Sequence, residues 1–180
     1  MPFRSRKGRR HVLRVIRDIL FYTPRLRGTN LNGALEFVNR VLPHRSVVVI
    51  ISDFFVEPSE LRGCFQHLRF RKHDVALFHL LDPQEIDFDF RRPMRFIDLE
   101  GGPAIFAEPN DIADRYHQAM KTYLEDIRQV ALESGLDYQP IKINEDYEQV
   151  LMRFLVGRAD RKSTRLNSSH MSESRMPSSA

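Results

Sequence analysis

Two short stretches place oxygen-bearing side chains where a bound group could meet them. One is Ser52-Asp53, which ends the run Val47-Val48-Val49-Ile50-Ile51. An ionised carboxylate directly after five apolar residues is costly to bury unless it is paired, hydrogen-bonded or beside a cation. Asp53 can therefore be read as a turn or cap, or as a cation ligand. The other stretch is Gly28-Thr29-Asn30-Leu31. Thr29 and Asn30 are residue types that begin helices. The Thr29 hydroxyl is also a hard neutral oxygen of the kind Mg²⁺ accepts, and Gly28 lets backbone approach a site closely. A third acid, Asp82, precedes Pro83, and that pairing favours a turn.

Other chemistries find little support. The sequence contains no Walker A loop, no G-x-S-x-G, no H-E-x-x-H and no dinucleotide glycine fingerprint. His67, His73 and His79 are spaced so that no two fall on adjacent turns of one helix, and they read as surface or structural residues. Cys64 is the single cysteine, which excludes an internal disulfide and a cysteine metal cage. Its apolar neighbours suit packing better than nucleophilic chemistry.

The elements that must position these residues alternate in kind. His11 to Phe21 has helical apolar spacing through Val12, Ile16, Ile19 and Leu20. After Pro24 and Gly28, an apolar stripe of Leu31, Ala34, Leu35, Val38, Val41 and Leu42 predicts a second helix, closed by Pro43. Val47 to Ile51 lacks polar alternation and suits a strand covered on both faces, as in a parallel sheet. Ser59 to Arg71 predicts a helix with Leu61, Phe65 and Leu68 inward, and Asp74 to Leu81 another buried strand. Met94 to Leu99 and Ala104 to Ala107 suggest a hairpin. Asn110 is expected to cap a long helix reaching about Ser134, stopped by Gly135. Asp137 to Ile143 predicts a short strand, which Pro140 assigns to a sheet edge. Asn144 to Arg158 completes the set, with Tyr147, Val150, Leu151, Phe154 and Leu155 inward. This alternation predicts an α/β fold with an open, mostly parallel sheet and flanking helices.

With 180 residues, 42% of them hydrophobic and 29% charged, the chain has the composition of one ordinary globular domain. No apolar run reaches membrane-helix length, and the Arg-rich start lacks the apolar segment of a signal peptide. The net charge of +4 is unevenly placed: residues 1–10 carry +5 and residues 159–180 carry +2, leaving −3 for residues 11–158. A mildly acidic body does not supply a groove for a nucleic-acid backbone. From Asp160 the composition turns to Ser, Arg, Asn and Met without apolar periodicity. DRKSTRLNSSH, Asp160 to His170, is what a widely used short-read sequencing adapter encodes in frame, so residues 159–180 are expected to be a disordered artefact.

RKGRRHVLRVIRDIL, RGTNLNGALEF, VVVIISDFF and HDVALFHLLDPQE, in this order and spacing, resemble the bacterial domain-of-unknown-function-58 family from about residue 3 to Arg158. That family is similar to von Willebrand factor A domains and is associated with MoxR-type AAA+ ATPases. The resemblance implies a Rossmann-type sheet and a non-catalytic binding or assembly role. It also implies Mg²⁺ in a metal-ion-dependent adhesion site built from an Asp-x-Ser-x-Ser loop, a Thr and an Asp. Thr29 matches the second element and Asp53 the third. Asp-x-Ser-x-Ser is absent here and lies upstream of the basic block in the family. Met1 is therefore expected to be an internal start, with the central strand and its neighbours missing. Thr29 and Asp53 alone are too few to hold Mg²⁺ firmly, and the strand at Val47 to Ile51 is expected to present an unpaired apolar edge.

The expectation is thus a metal-dependent protein-binding module of a cytoplasmic protein, with a parent anchored to the inner membrane by segments not in this chain as the other option. Its partner is expected to be an AAA+ ATPase of the MoxR type, and no nucleic acid. The alternative is a metal-dependent phosphohydrolase or phosphoacceptor using Asp53. That chemistry needs a second acid, and Glu57 is the nearest. A plain protein-interaction domain without metal is the third possibility.

Overall fold

A computed structural model describes residues 8–23, 30–42, 44–97 and 102–159. Thr29 lies outside the described residues, as do residues 160–180 with the adapter-like tail. Eleven elements follow in chain order. They are α1 (Arg9–Leu20), α2 (Leu31–Val41), β1 (Val47–Ser52), α3 (Pro58–Phe70), β2 (Asp74–Leu81), α4 (Pro83–Asp87), β3 (Met94–Phe96), β4 (Ile105–Ala107), α5 (Pro109–Glu133), β5 (Asp137–Lys142) and a last helix, α6, over residues 147–159.

The main sheet is parallel, in the order β1-β2-β5, with Val47 opposite Asp74 and Ala76 opposite Asp137. β3 and β4 form a separate antiparallel hairpin. The molecule is therefore α/β with an open parallel sheet flanked by helices. β5 holds a sheet edge, and Pro140 sits there at no cost to a ladder hydrogen bond on its open side.

One face of the sheet carries most of the core. Val48 and Ile50 of β1 and Val75 and Leu77 of β2 meet Leu31 and Leu35 of α2, Leu61, Phe65 and Leu68 of α3, and Ile127, Val130 and Ala131 of α5. Leu61, Phe65 and Leu68 are fully buried, as their helical spacing requires. Removing a side chain of this size from water stabilises the fold by about 1.5–3 kcal/mol. Cys64 is half-buried and packs against this cluster.

The second face is only partly covered. α6 sets Phe154 edge-on against Phe78 at 5.0 Å, over Ala76 and Ile141. Arg158 anchors it to Asp74 and, at 3.8 Å, to Asp137. Those contacts hold α6 over β2 and β5, so nothing described lies over β1. Val47, Val49 and Ile51 are consequently exposed on that face, and β1 is also a sheet edge. The sequence expectation that both faces of this strand are covered is thereby corrected, whereas its unpaired edge is observed. Within α6 only Val150 and Phe154 are buried; Tyr147, Leu151 and Leu155 stay exposed because the helix touches the sheet along a narrow line. α1 has apolar residues at helical spacing but buries none of them.

Two further corrections concern helix starts. Asn110 is not the cap of α5: Glu108 holds that position, and Pro109 occupies the first helical turn, where its fixed φ and missing N–H cost nothing. α4 was not foreseen; the Asp82 carboxylate accepts from the Gln84 N–H at 2.8 Å and so starts a short helix instead of a plain turn. The end of α5 is as expected. Gly135 has φ 69°, and the Leu136 N–H reaches back to the Ala131 carbonyl at 3.0 Å.

Candidate functional site

The carboxyl end of β1 is where the helices of the covered face begin. Asn32 in the first turn of α2 donates to Glu60 in the first turn of α3 at 3.0 Å, while Arg71 just past α3 donates to the Asn39 carbonyl near the end of α2. The two helices therefore run side by side in one direction. α3 starts a few residues after β1 ends, so both N-termini lie at the carboxyl end of the strand. The Asn30 carboxamide caps α2 there by accepting from the Gly33 N–H at 2.8 Å. Asp53 and the start of α2 thus share one end of the sheet; Thr29 itself is outside the described residues.

Asp53 is exposed. Its Oδ1 accepts from the Ser52 hydroxyl at 3.3 Å and from the Phe55 N–H at 3.3 Å. Ser52 Oγ in turn accepts from the Phe54 N–H at 3.0 Å. Both bonds fall on one carboxylate oxygen, Oδ1. Phe54 adopts φ 52°, a left-handed conformation that costs a bulky residue about 1–3 kcal/mol. Its ring is fully buried and lies edge-on to Phe65 and to His79, with centroids at 6.5 and 5.2 Å. The inward turn of Phe54 sends Phe55 outward, where it is 90% exposed.

Beneath this loop is a polar group of residues that sequence reasoning missed. His79 is 1% exposed and its Nδ1 lies 2.8 Å from the Tyr138 hydroxyl. Burial lowers the His79 pKa, and the Asp53 main chain and carboxylate oppose that shift. The Tyr123 hydroxyl on α5 donates to the Phe54 carbonyl. Burial first, and the Asp53 charge second, push the Tyr123 hydroxyl up to about 12. Tyr138 is also pushed up to about 12, mainly by burial. Both phenols therefore stay protonated as hydrogen-bond donors. A signal for His79 existed: it shares the period of Val75 and Leu77, which marks the core-facing side of β2. His73 is buried as well, accepting at Nδ1 from the Ser46 N–H at 3.1 Å, so of the three histidines only His67 is at the surface.

As a donor set for a cation, this end of the sheet is open-handed. Asp53 offers one carboxylate oxygen, and the Ser52 oxygen is already engaged. Among the described residues no group of three or more His, Cys, Asp or Glu side chains could hold a metal ion. One exposed carboxylate is too few protein ligands to hold a hard divalent cation, so the described residues alone do not fit a metal site. Glu57 is exposed at the start of α3 and makes no side-chain capping bond.

The fold places the chain among open parallel α/β domains, in which ligands, where bound, lie beyond the carboxyl ends of the strands. The chain matches the family described as protein of unknown function DUF58 over residues 2–124, and it belongs to that family. The matched stretch includes Asp53 and all of β1 and β2. Comparison with curated proteins and with solved structures found no match. No helix among the described residues is long and apolar enough to cross a membrane.

Proposed function

We propose that this chain is part of a non-catalytic protein-binding module of the von Willebrand factor A type, whose contact with its partner runs through a divalent cation. The observation that carries the reading is Asp53: an exposed acid at the end of a core strand, with both of its hydrogen bonds on one carboxylate oxygen. In this reading Asp53, and Thr29 by its place in the sequence, hold Mg²⁺ together with water. The bound cation supplies a positive charge that an acidic side chain of the partner can ligate. The association of the family with MoxR-type AAA+ ATPases, implied by the resemblance, makes such an ATPase the partner to test first.

The expected outcome is specific. In a parent protein that also carries the Asp-x-Ser-x-Ser loop, binding to a MoxR-type ATPase, followed by calorimetry, should require Mg²⁺ and be lost in Asp53→Ala, while the unfolding midpoint of that variant stays close to that of the unsubstituted protein. Asp53 is exposed and makes only two long hydrogen bonds, so its removal should cost under about 1 kcal/mol of stability. Equal binding in Mg²⁺ and in EDTA would overturn the reading. Release of phosphate from a generic phosphomonoester, dependent on Asp53, would favour a phosphohydrolase instead.

A further inference from the structure

We propose that α1 is a membrane-surface helix, which lies flat on an anionic lipid bilayer with its apolar side down. Wound at about 3.6 residues per turn, Val12, Leu13, Val15, Ile16, Ile19 and Leu20 share one arc of about 160°. Arg10, His11, Arg14, Arg17 and Asp18 fill the opposite side. Arg9, in the first turn, is the one charge within the apolar arc, and its long stem lets the guanidinium reach past it. No residue of α1 is buried; Ile19 and Leu20 are 70% and 73% exposed. Phe21 and Tyr22, directly after the helix, are equally open, and such rings favour the headgroup level of a bilayer. A contiguous apolar surface of this kind marks a contact site.

Charge selects what covers it. Residues 1–30 carry nine Lys and Arg side chains against Asp18 alone, a net of +8, whereas residues 31–158 carry −6. Asp18 is itself paired with Arg17 at 2.9 Å. A helix of 12 residues is too short to cross a bilayer, but a basic side backed by an apolar one suits the interface plane. Nucleic acid would engage the arginines and leave the apolar arc in water. A second copy of α1, or the open face of β1, would cover the arc and leave the arginines without an anion. Acidic headgroups above acyl chains satisfy both sides together. The same surface repels the acidic body, so contact is confined to the basic N-terminal part.

Vesicle flotation tests this with the full chain. Vesicles of phosphatidylcholine with phosphatidylglycerol, or of phosphatidylcholine alone, are floated on a density gradient that leaves aggregated protein below. The chain should rise with the anionic vesicles only, less so as salt increases, and as well in EDTA as without it. Arg14→Gln should weaken vesicle binding about fivefold, the effect of one arginine near an anionic surface. Ile16→Gln, which wets the middle of the apolar arc, should weaken it on the order of tenfold or more. Both side chains are exposed, so neither variant should shift the unfolding midpoint. The chain has no tryptophan, and Phe21→Trp therefore adds a single fluorophore whose emission should move to shorter wavelength on anionic vesicles. Flotation that is absent, or equal on neutral vesicles, overturns the proposal. So does flotation that Ile16→Gln leaves unchanged, since charge alone then holds the chain. Loss in Ile51→Lys but not in Ile16→Gln would move the contact to β1 and overturn it as well. A chain that ignores vesicles but binds a random-sequence DNA duplex, or forms a dimer that Ile16→Gln breaks, assigns α1 to nucleic acid or to a second copy instead.

Discussion

Phe54 and Lys72 occupy the same region of backbone space, at φ 52° and 60°, for different reasons. Lys72 follows α3 and closes it in the manner of a glycine: its N–H bonds the Arg69 carbonyl at 2.8 Å and the His73 N–H bonds that of Leu68 at 3.1 Å. Its side chain is exposed and anchors nothing. Lys72→Gly should therefore relieve strain and raise stability by up to about 1 kcal/mol. Phe54→Gly should relieve the same strain yet lower stability by roughly 2–4 kcal/mol, because a fully buried ring is deleted. Urea denaturation of the two variants checks both signs. The sequence shows neither conformation: nothing in SDFFVEP marks its first phenylalanine as left-handed, since the conformation follows from the cavity between Phe65, His79 and Tyr123 that receives the ring. The candidate site was legible only in part. Asp53 stood out through its place after an apolar run, whereas Tyr123 and Tyr138 join the group by contacts 69 and 59 residues apart in the chain.

At the level of elements, β1 is the exposed flank. Among the described residues it pairs on one side only, and it shows Val47, Val49 and Ile51 on its open face. An apolar edge of this kind templates association with further strands. Ile51→Lys, which puts a charge on that face without touching the packed one, should raise the concentration at which the chain remains monomeric in light scattering. Its thermal midpoint should change little. Equal aggregation in parent and variant would remove β1 as the cause. The secondary structure itself was largely readable. β2 runs from Asp74 to Leu81 as its apolar run requires, and α3 and α5 fall within a residue or two of their expected bounds. What escaped was lateral placement. Periodicity tells which residues of α6 are apolar, but the pull of Asp74 and Asp137 on Arg158 decides which strand the helix covers. β1 accordingly reads as a two-sided core strand and is a one-sided edge.

For the whole molecule, the buried histidines couple folding to acidity. His73 and His79 both have pKa values below the ordinary one, in each case chiefly through burial. A base whose pKa is depressed on folding takes up its proton more readily when unfolded. Stability is then full above about pH 6.5 and falls as the pH drops below it, by up to about 1.4 kcal/mol per pH unit for each such group. The urea midpoint should accordingly be lower at pH 5.5 than at pH 7.5, and His79→Gln should reduce the difference; a flat profile would mean that the rings are protonated in place. A kinetic consequence follows from the Phe54 anchor. The main chain at Asp53 cannot swing to meet a ligand unless that ring first leaves the core, an excursion as expensive as local unfolding. Recognition at this tip should therefore proceed in one step, with an observed rate that climbs linearly with ligand concentration and shows no plateau. The loop waits in its finished shape, and collision alone sets the pace.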